Sequence, residues 1–437
     1  MSESKLKNSV LLRMVLVGAL TLILIVPAIL VESLVTERQN RRDTAVAEVS
    51  KGWGASQTLT GPILTIPYYV DTIIERGIVR SEKQYFHISP EQLYVASTIN
   101  PVVRYRGIYE IALYNAHSSI SGEFSLESLF QEKIPPEKIL WDEALVTMGL
   151  SDLKGIKDTV NLLWAGTSVP ARSGLRAERF LQRGITFSPK TGPDVHTYSF
   201  SLNLNLNGTS EFRVVPIGKE TKVSMSSTWS DPNFLGSFLP DTREISSNGF
   251  KADWKILELN GSSQAVPAIA KNEENACGVR LMIPVDEYQK MMRTLKYAIM
   301  FIALTFLALF LSEVMTKTAL HPIQYALIGL ALVLFYVLLL SLSEHISFNL
   351  AYCCSGISII TLVGLYTKWI TGNTRIMVSI SSVLILLYSF FFVTLQLQDY
   401  ALLLGSIGLV CILMCVMYLT RKVDWFELRT EESSIRS

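Results

Sequence analysis

Long uncharged apolar runs dominate two parts of the sequence. One run lies near the N-terminus, and five more follow one another towards the C-terminus. They cover residues 14–31, 297–312, 323–343, 346–367, 376–398 and 400–420. A bilayer core needs about 20 apolar residues in a helix, because each residue rises about 1.5 Å. Four consecutive runs above that length are not typical of a soluble core, so the pattern predicts six transmembrane helices.

The first run is predicted to be a retained anchor. A cleaved signal peptide, the alternative, has a shorter apolar core with a small-residue cleavage site directly after it. Here the run ends in Val31-Glu32, and the small-residue pattern Ala45-Val46-Ala47 lies well beyond that point.

Basic residues in the short connections predict the orientation of the helices. Residues 313–322 hold one Lys, the turn at Glu344 holds no Lys or Arg, residues 368–375 hold two, the turn at Asp399 holds none, and the tail from Arg421 holds four. This alternation follows the positive-inside rule and predicts that both termini are cytoplasmic. The basic residues at 38–42 and 290–296 contradict this orientation, because they fall on the side predicted to be external. They are discounted, since long translocated segments largely escape the rule.

Composition separates the middle of the chain from the apolar runs. The chain has 39 Lys and Arg against 38 Asp and Glu, and its mean hydropathy is +0.33. This near balance excludes reading the whole chain as a nucleic-acid binder. Most of the charges fall in residues 32–296, which predicts a soluble domain there. The predicted organisation is a cytoplasmic N-terminus with the first transmembrane helix (1–31), a periplasmic domain (32–296), five transmembrane helices (297–420) and a cytoplasmic tail (421–437).

The middle segment shows the two-residue period of β-strands. From Tyr198 to Asn207, aromatic and leucine side chains alternate with Ser and Asn. Strict alternation indicates an antiparallel sheet with one solvated face, and Asn207-Gly208 is typical of a hairpin turn. Further strands are predicted at residues 63–70, 84–88, 105–114, 212–217 and 222–229. The predicted fold class is α+β, with a β-rich antiparallel extracytoplasmic domain on a six-helix transmembrane bundle.

Both ends of this domain are predicted to be helical. Residues 32–50 are charged with spaced apolar positions, and they stop near Gly52. After Pro284, apolar residues recur at helical spacing and predict a helix that runs without a break into the second span. These two helices either transmit mechanical change between domain and membrane or act only as spacers.

Residues that carry chemistry are sparse in this sequence. It has no H-E-x-x-H, G-x-S-x-G, G-x-x-x-x-G-K-[ST] or C-x-x-C pattern. Of its five Cys, only Cys277 falls outside the apolar runs, so no disulfide is expected within the domain. We predict no enzyme activity, no cofactor and no metal site. Transport stays open, although the ionisable residues lie at span ends rather than at the midplane, where coupled transporters place them.

The ionisable residues cluster at the two predicted membrane boundaries. We expect an acid of the short outer turns to pair with a base preceding the second span, and so to dock the domain onto the bundle. The alternatives are an exposed pair that contributes about 0–1 kcal/mol, or basic residues that meet lipid phosphates. The candidate coupling residues are Glu313, His321, Glu344, His345, Asp399, Lys290, Arg293 and Lys296.

Several motifs resemble a known family. His321-Pro322-Ile323-Gln324-Tyr325, followed at the end of the same run by Ser343-Glu344-His345, is a specific combination. Further matching stretches lie at residues 61–67, 234–240, 296–306, 401–405 and 419–425. In these motifs and over nearly its whole length, the chain resembles the CreD family of bacterial inner-membrane proteins, also called cell envelope integrity proteins.

The resemblance implies the inner membrane of a Gram-negative bacterium and a link to envelope stress, colicin tolerance and a two-component regulon. It implies no defined reaction, and no active-site residue carries over. The predicted function is an envelope-integrity membrane protein that acts by binding or conformational coupling. Its partners would be the lipid bilayer and an unidentified envelope protein or lipid ligand. The alternatives are a permease or flippase for a lipid or other neutral cargo, and an enzyme acting on an envelope polymer.

Overall fold

The chain divides into two units, each described here by itself. We call Met1–Arg41 with Val285–Ser437 the helical unit, and Arg42–Pro284 the sheet unit. The computed structural model describes residues 10–74, 78–132, 134–175, 181–260, 275–282, 287–316, 320–397 and 401–421.

Helices, most of them long and apolar, form the described part of the helical unit. In chain order the helices are α1 (Val10–Ile23), α2 (Ile25–Trp53), α3 (Glu127–Gln131), α4 (Glu287–Lys296), α5 (Ala298–Thr316), α6 (Pro322–Ser343), α7 (Phe348–Thr371), α8 (Thr374–Gln396) and α9 (Ala401–Thr420). The short α3 belongs to the sheet unit. Helix α1 packs against α5 and α6, while α7 packs against both α6 and α8. The helix predicted at residues 32–50 is confirmed, since α2 covers it and continues to Trp53.

Several of the described helices are able to cross a membrane. By length and composition these are Met14–Trp53, Pro322–Ser343, Phe348–Thr371 and Thr374–Gln396. Tyr288–Lys296 and Ala298–Glu313 pass the same test as a pair, and Leu403–Tyr418 is a shorter apolar helix. The described residues thus contain four helices able to span a membrane, or five if the pair is one span, and the count of six stays a prediction.

The prediction that the helix after Pro284 runs unbroken into the second span is wrong, because α4 and α5 meet at an angle of 46°. At the break the N–H of Tyr297 bonds to the carbonyl of Thr294 at 3.2 Å, the three-residue spacing of a tight turn. The Tyr297 ring packs against Phe391 of α8, with the ring centroids 5.8 Å apart. The chain therefore changes direction between α4 and α5 at Tyr297, whose ring packs against α8.

The sheet unit contains two eight-stranded sheets. The strands are β1 (Gln57–Ile74), β2 (Ile78–Ile88), β3 (Gln92–Arg106), β4 (Tyr109–Ser125), β5 (Leu145–Leu150), β6 (Asn161–Trp164), β7 (Thr167–Pro170), β8 (Arg172–Ser173), β9 (Gly184–Phe187), β10 (Thr197–Thr209), β11 (Glu211–Val215), β12 (Glu220–Ser227), β13 (Pro232–Gly236), β14 (Thr242–Ser246), β15 (Gly249–Leu257) and β16 (Cys277–Leu281). The first sheet has the order β13-β16-β11-β1-β5-β9-β8, with β2 also paired to β1. The second has the order β14-β15-β12-β3-β4-β10-β6-β7. Among the described strands, only β1–β11 and β3–β12 pair in parallel, so the predicted mostly antiparallel character is confirmed.

One hydrophobic core takes side chains from both sheets. Aromatic contacts join them: Tyr114 of β4 meets Phe212 of β11 at 6.0 Å between ring centroids, and Phe234 of β13 meets Phe250 of β15 at 5.8 Å. Cys277 of β16 is fully buried in this core, and burial raises the pKa of its thiol to about 12. The thiol is therefore neutral and packs as a small apolar group.

The alternating strand predicted at 198–207 is confirmed, with its aromatic and leucine side chains buried. The predicted turn at Asn207-Gly208 is wrong, because β10 continues through both residues. The chain turns instead at Ser210, whose backbone φ is +64°, and passes there from the second sheet into the first.

Gly208 is needed for packing rather than for a turn. It pairs with Tyr114 across β10 and β4, and a Cβ at this position would lie 2.2 Å from the Tyr114 hydroxyl oxygen. That hydroxyl donates a hydrogen bond to the Glu211 carbonyl at 2.5 Å and accepts one from the Gln57 N–H at 3.3 Å. The missing side chain thus makes room for a buried tyrosine that links strands of both sheets.

The single strand predicted at 105–114 is also wrong. Strand β3 ends at Arg106 and β4 begins at Tyr109, with Gly107 between them at a φ of +63°. Glycine adopts this left-handed conformation without steric cost, so the segment forms a hairpin. The strands predicted at 63–70, 84–88, 212–217 and 222–229 are confirmed in β1, β2, β11 and β12. The ends agree within two residues in β11 and β12, whereas β1 extends beyond the predicted strand at both ends and β2 begins earlier, at Ile78.

Candidate functional site

Glu344 joins three helices of the helical unit. It caps the C-terminal end of α6, where the unpaired carbonyls already disfavour a negative charge. One carboxylate oxygen lies 3.6 Å from the guanidinium of Arg38 on α2, and the other lies 3.5 Å from the hydroxyl of Tyr288 on α4. The Glu344 side chain is 11% exposed. A cation and a hydroxyl donor thus stabilise a carboxylate that its own helix end disfavours. We call Arg38, Tyr288 and Glu344 the boundary cluster.

The predicted basic partners of Glu344 lie on α4 beside Tyr288. The ammonium of Lys290 sits 5.6 Å from the ring centroid of Phe348 on α7, a cation–π contact. Arg293 is partly buried and Lys296 is exposed. Among the described residues the ion pair of Glu344 is formed by a different basic residue, Arg38.

Two members of the boundary cluster were not among the predicted site residues. Arg38 belongs to the basic group at 38–42, and the sequence signal was present there but was interpreted only as dissent from the positive-inside rule. Tyr288 carried no signal beyond its place in a helical repeat. His345 is exposed. Asp399, the second acid of the outer turns, lies outside the described residues, and the expected docking pair stays a prediction.

A buried carboxylate lies at the other end of α6. Glu313 of α5 is 6% exposed and accepts a hydrogen bond from the hydroxyl of Tyr325 at 2.8 Å. The Phe306 and Tyr325 rings pack edge to face, with the centroids 5.7 Å apart. A buried ionisable group within a segment able to span a membrane is costly unless a partner is provided, and Tyr325 provides one.

His321 has a structural role at the start of α6. Its side chain accepts a hydrogen bond from the N–H of Ile323 at 3.3 Å, while its own N–H donates to the side chain of Gln324 at 2.8 Å. This reciprocal arrangement is a capping box, which satisfies free donors at a helix start. The predicted coupling residue is thus an N-cap.

Aromatic side chains fill the interior of the helical unit. Phe301, Phe335, Tyr352 and Tyr388 contact one another with centroid distances of 4.5–6.2 Å. The cavity between these rings has a volume of about 10 Å³, room for about one water molecule. The hydroxyls of Ser355 and Tyr388 are buried, without a hydrogen-bond partner among the described residues.

The outer face of the second sheet holds a much larger open groove of about 510 Å³. Its floor is made of two cross-strand rows from β12, β3, β4 and β10. The rows are Ser224, Ala96, Ser119 and Asn203, and then Ser226, Thr98, His117 and Asn205. The connecting segment 158–160 forms one wall. We call this feature the polar groove.

The polar groove is lined mainly by short, uncharged polar side chains. Asp158 is the one charged residue among the described lining residues. Its carboxylate accepts a hydrogen bond from the Asn205 amide nitrogen at 2.8 Å, and the Asn205 amide oxygen accepts one from Asn115 at 2.6 Å. The Asn205 carboxamide is therefore held in one orientation.

The family model described as Inner membrane protein CreD matches residues 9–426 of this chain. The chain belongs to the CreD family. A relative, Inner membrane protein CreD of Escherichia coli (strain K12), is 32% identical over 432 residues, which cover 96% of this chain and 95% of the relative. The resemblance predicted from the motifs is confirmed.

This CreD-family chain is an inner-membrane protein, as the name of the relative and the apolar helices together indicate. Within the described ranges, no three His, Cys, Asp or Glu side chains lie close enough together to hold a metal ion. The described structure brings together a carboxylate with two partners in the boundary cluster, a capped helix start at His321 and a groove lined by polar side chains.

Proposed function

We propose that this CreD-family protein supports envelope integrity by binding and conformational coupling, without covalent chemistry. In this proposal residues 32–296 are periplasmic, six helices span the inner membrane and both termini are cytoplasmic. The sheet unit senses a condition or ligand of the envelope, and the helices that flank it in the sequence carry the response into the bundle.

The boundary cluster carries this proposal. The chain passes into the sheet unit along α2 and returns to the helical unit just before α4. Glu344 contacts both of these helices, through Arg38 and Tyr288. A movement of either connecting helix therefore changes the surroundings of one carboxylate at the end of α6, which is the geometry that coupling requires.

The interior of the helical unit favours coupling over transport. The aromatic cavity admits about one water molecule, far less than a lipid or another cargo needs. The buried hydroxyls of Ser355 and Tyr388 support the alternative, a permease or flippase for a neutral cargo, because a path would need such groups. Their dense aromatic surroundings weigh against it.

A charge-reversal experiment tests the coupling. We expect Arg38→Glu and Glu344→Arg, each alone, to lose complementation of a strain that lacks the protein, scored as survival under combined detergent and chelator stress. The double variant, with the charges exchanged, should regain most of the survival, because the ion pair is restored with opposite polarity.

The control is Arg41→Glu on the same helix. Arg41 pairs with Glu37 one turn away on the exposed surface of α2, and such pairs contribute little. This variant should complement fully. Coupling through the boundary cluster is refuted if both single variants complement like the wild type, or if the double variant is no better than its parents at equal membrane levels.

A further inference from the structure

We propose that the polar groove binds a neutral glycan chain. The inference deepens the proposed function, on which it rests for the placement of the sheet unit in the envelope. It names the class of molecule that the sheet unit would sense: an uncharged oligosaccharide segment that lies across β12, β3, β4 and β10.

The lining of the polar groove matches hydroxyl groups. Ser, Thr and Asn side chains each donate and accept hydrogen bonds, as do the hydroxyls of a sugar, so either partner can take either role. In the floor, Ser224, Ser119 and Asn203 form one neutral row across three of the four strands. The row beside it places Thr98 against His117 in the same way. A chain of sugar hydroxyls would find polar partners along both rows, at every position except Ala96.

The charge and the polarity of the lining exclude an anion and an acyl chain as occupants of the polar groove. Among the described lining residues there is no Lys or Arg, which a phosphate or another anion would need. Asp158 would repel an anion, and it is engaged with Asn205. An acyl chain needs an apolar surface, but Ala96 is the one apolar side chain on the exposed floor.

The shape of the polar groove also suits a flat, extended ligand. Its floor is a central part of the sheet, not an edge, so a peptide cannot add to it as another strand. Small side chains such as Ala96 and Ser119 let a ring approach the backbone closely. Its volume of about 510 Å³ lies within the usual range of small-molecule sites, about 300–1,000 Å³. The fixed Asn205 carboxamide provides a preorganised contact in the floor, beside Asp158 of the wall.

The test uses the full chain in lipid nanodiscs, titrated by calorimetry with cellohexaose and with chitohexaose, two neutral oligosaccharides. We expect at least one to bind with a Kd below about 10 mM. Ser119→Phe, which fills the floor, and Asn203→Ala, which removes an exposed amide, should each weaken binding at least about fivefold. Ser199→Phe is the matched control, an exposed serine on the same face of β10 but outside the groove, and should change Kd by less than about twofold.

Several outcomes would overturn the inference. They are no heat of binding with either sugar, binding that Ser119→Phe and Asn203→Ala leave unchanged, or tighter binding of inorganic phosphate or of a polar peptide such as hexaglycine. The variant Glu344→Gln separates this result from the proposed function. If the glycan inference holds and the coupling fails, the oligosaccharide binds to Glu344→Gln with the same Kd as to the wild type, and the charge-reversal variants complement normally. If only the glycan inference fails, the charge-reversal result stands without it.

Discussion

At the scale of single residues, the sheet unit depends on a tyrosine in a place where a neighbouring side chain is missing. Tyr114 is fully buried, and burial raises the pKa of its phenol, so it stays a neutral donor. Its hydrogen bonds to Glu211 and Gln57 connect the second sheet to two strands of the first. These bonds are possible because Gly208 leaves the space open.

Replacing Gly208 tests this contact. Gly208→Ala places a methyl group in the volume of the Tyr114 hydroxyl, and overpacking of this kind costs about 1–3 kcal/mol. We expect a lower unfolding temperature of the sheet unit, measured by tryptophan fluorescence of the full chain in detergent. Gly192→Ala is the control, because a Cβ there meets no atom within 4 Å. Equal unfolding temperatures for the two variants would contradict the packing role.

At the scale of elements, periodicity predicted most strands but not their ends. The alternation in β10 was readable because one face is buried and the other is not. The Asn207-Gly208 dipeptide has the composition of a turn. Here the glycine is needed because the Tyr114 side chain, 94 positions earlier in the chain, fills the space that a side chain at 208 would occupy. A local pattern contains no record of such a partner. The same holds at Tyr297, where a ring on α8 accompanies the break between two helices.

The start of α6 provides a prediction at this scale. His321→Ala removes the acceptor for the Ile323 N–H, and loss of an N-cap costs about 0.5–2 kcal/mol. We expect faster hydrogen exchange of the amides at 323–324 and little change in the middle of α6. His321→Asn keeps a side-chain acceptor and should restore slow exchange. A coupling role beyond capping would instead appear as lost complementation in both variants at normal exchange rates.

At the scale of the whole molecule, the sequence predicted two regions of different character and the family, but only part of the candidate site. Composition separates apolar helices from a β-rich unit without any knowledge of contacts. To predict the boundary cluster, one must know which basic residue reaches Glu344. The sequence does not tell this, because Arg38 and Lys290 are both basic residues beside a predicted span. The polar groove escaped prediction because its rows combine residues from four strands, which become neighbours only through register.

Labelling of single cysteines tests the membrane arrangement. In a chain with Cys353, Cys354, Cys411 and Cys415 replaced, a cysteine at exposed Ser168 should react with an impermeant maleimide on intact spheroplasts. A cysteine at Ser433, in the predicted cytoplasmic tail, should react only after lysis. Cys277 can stay, since its buried thiol, with a pKa raised to about 12, supplies almost no thiolate. Labelling of Ser433→Cys before lysis would refute the proposed orientation.

The order of strands in the first sheet has a consequence for how the protein is made. Strand β16, at Cys277–Leu281, lies between β13 and β11, and β11 pairs in parallel with β1, far earlier in the chain. Such distant pairings form slowly and late. A ribosome must therefore add Leu281 before that sheet can close. Until then the emerging polypeptide has open strand edges, so chaperone binding or protease cleavage should peak during this interval.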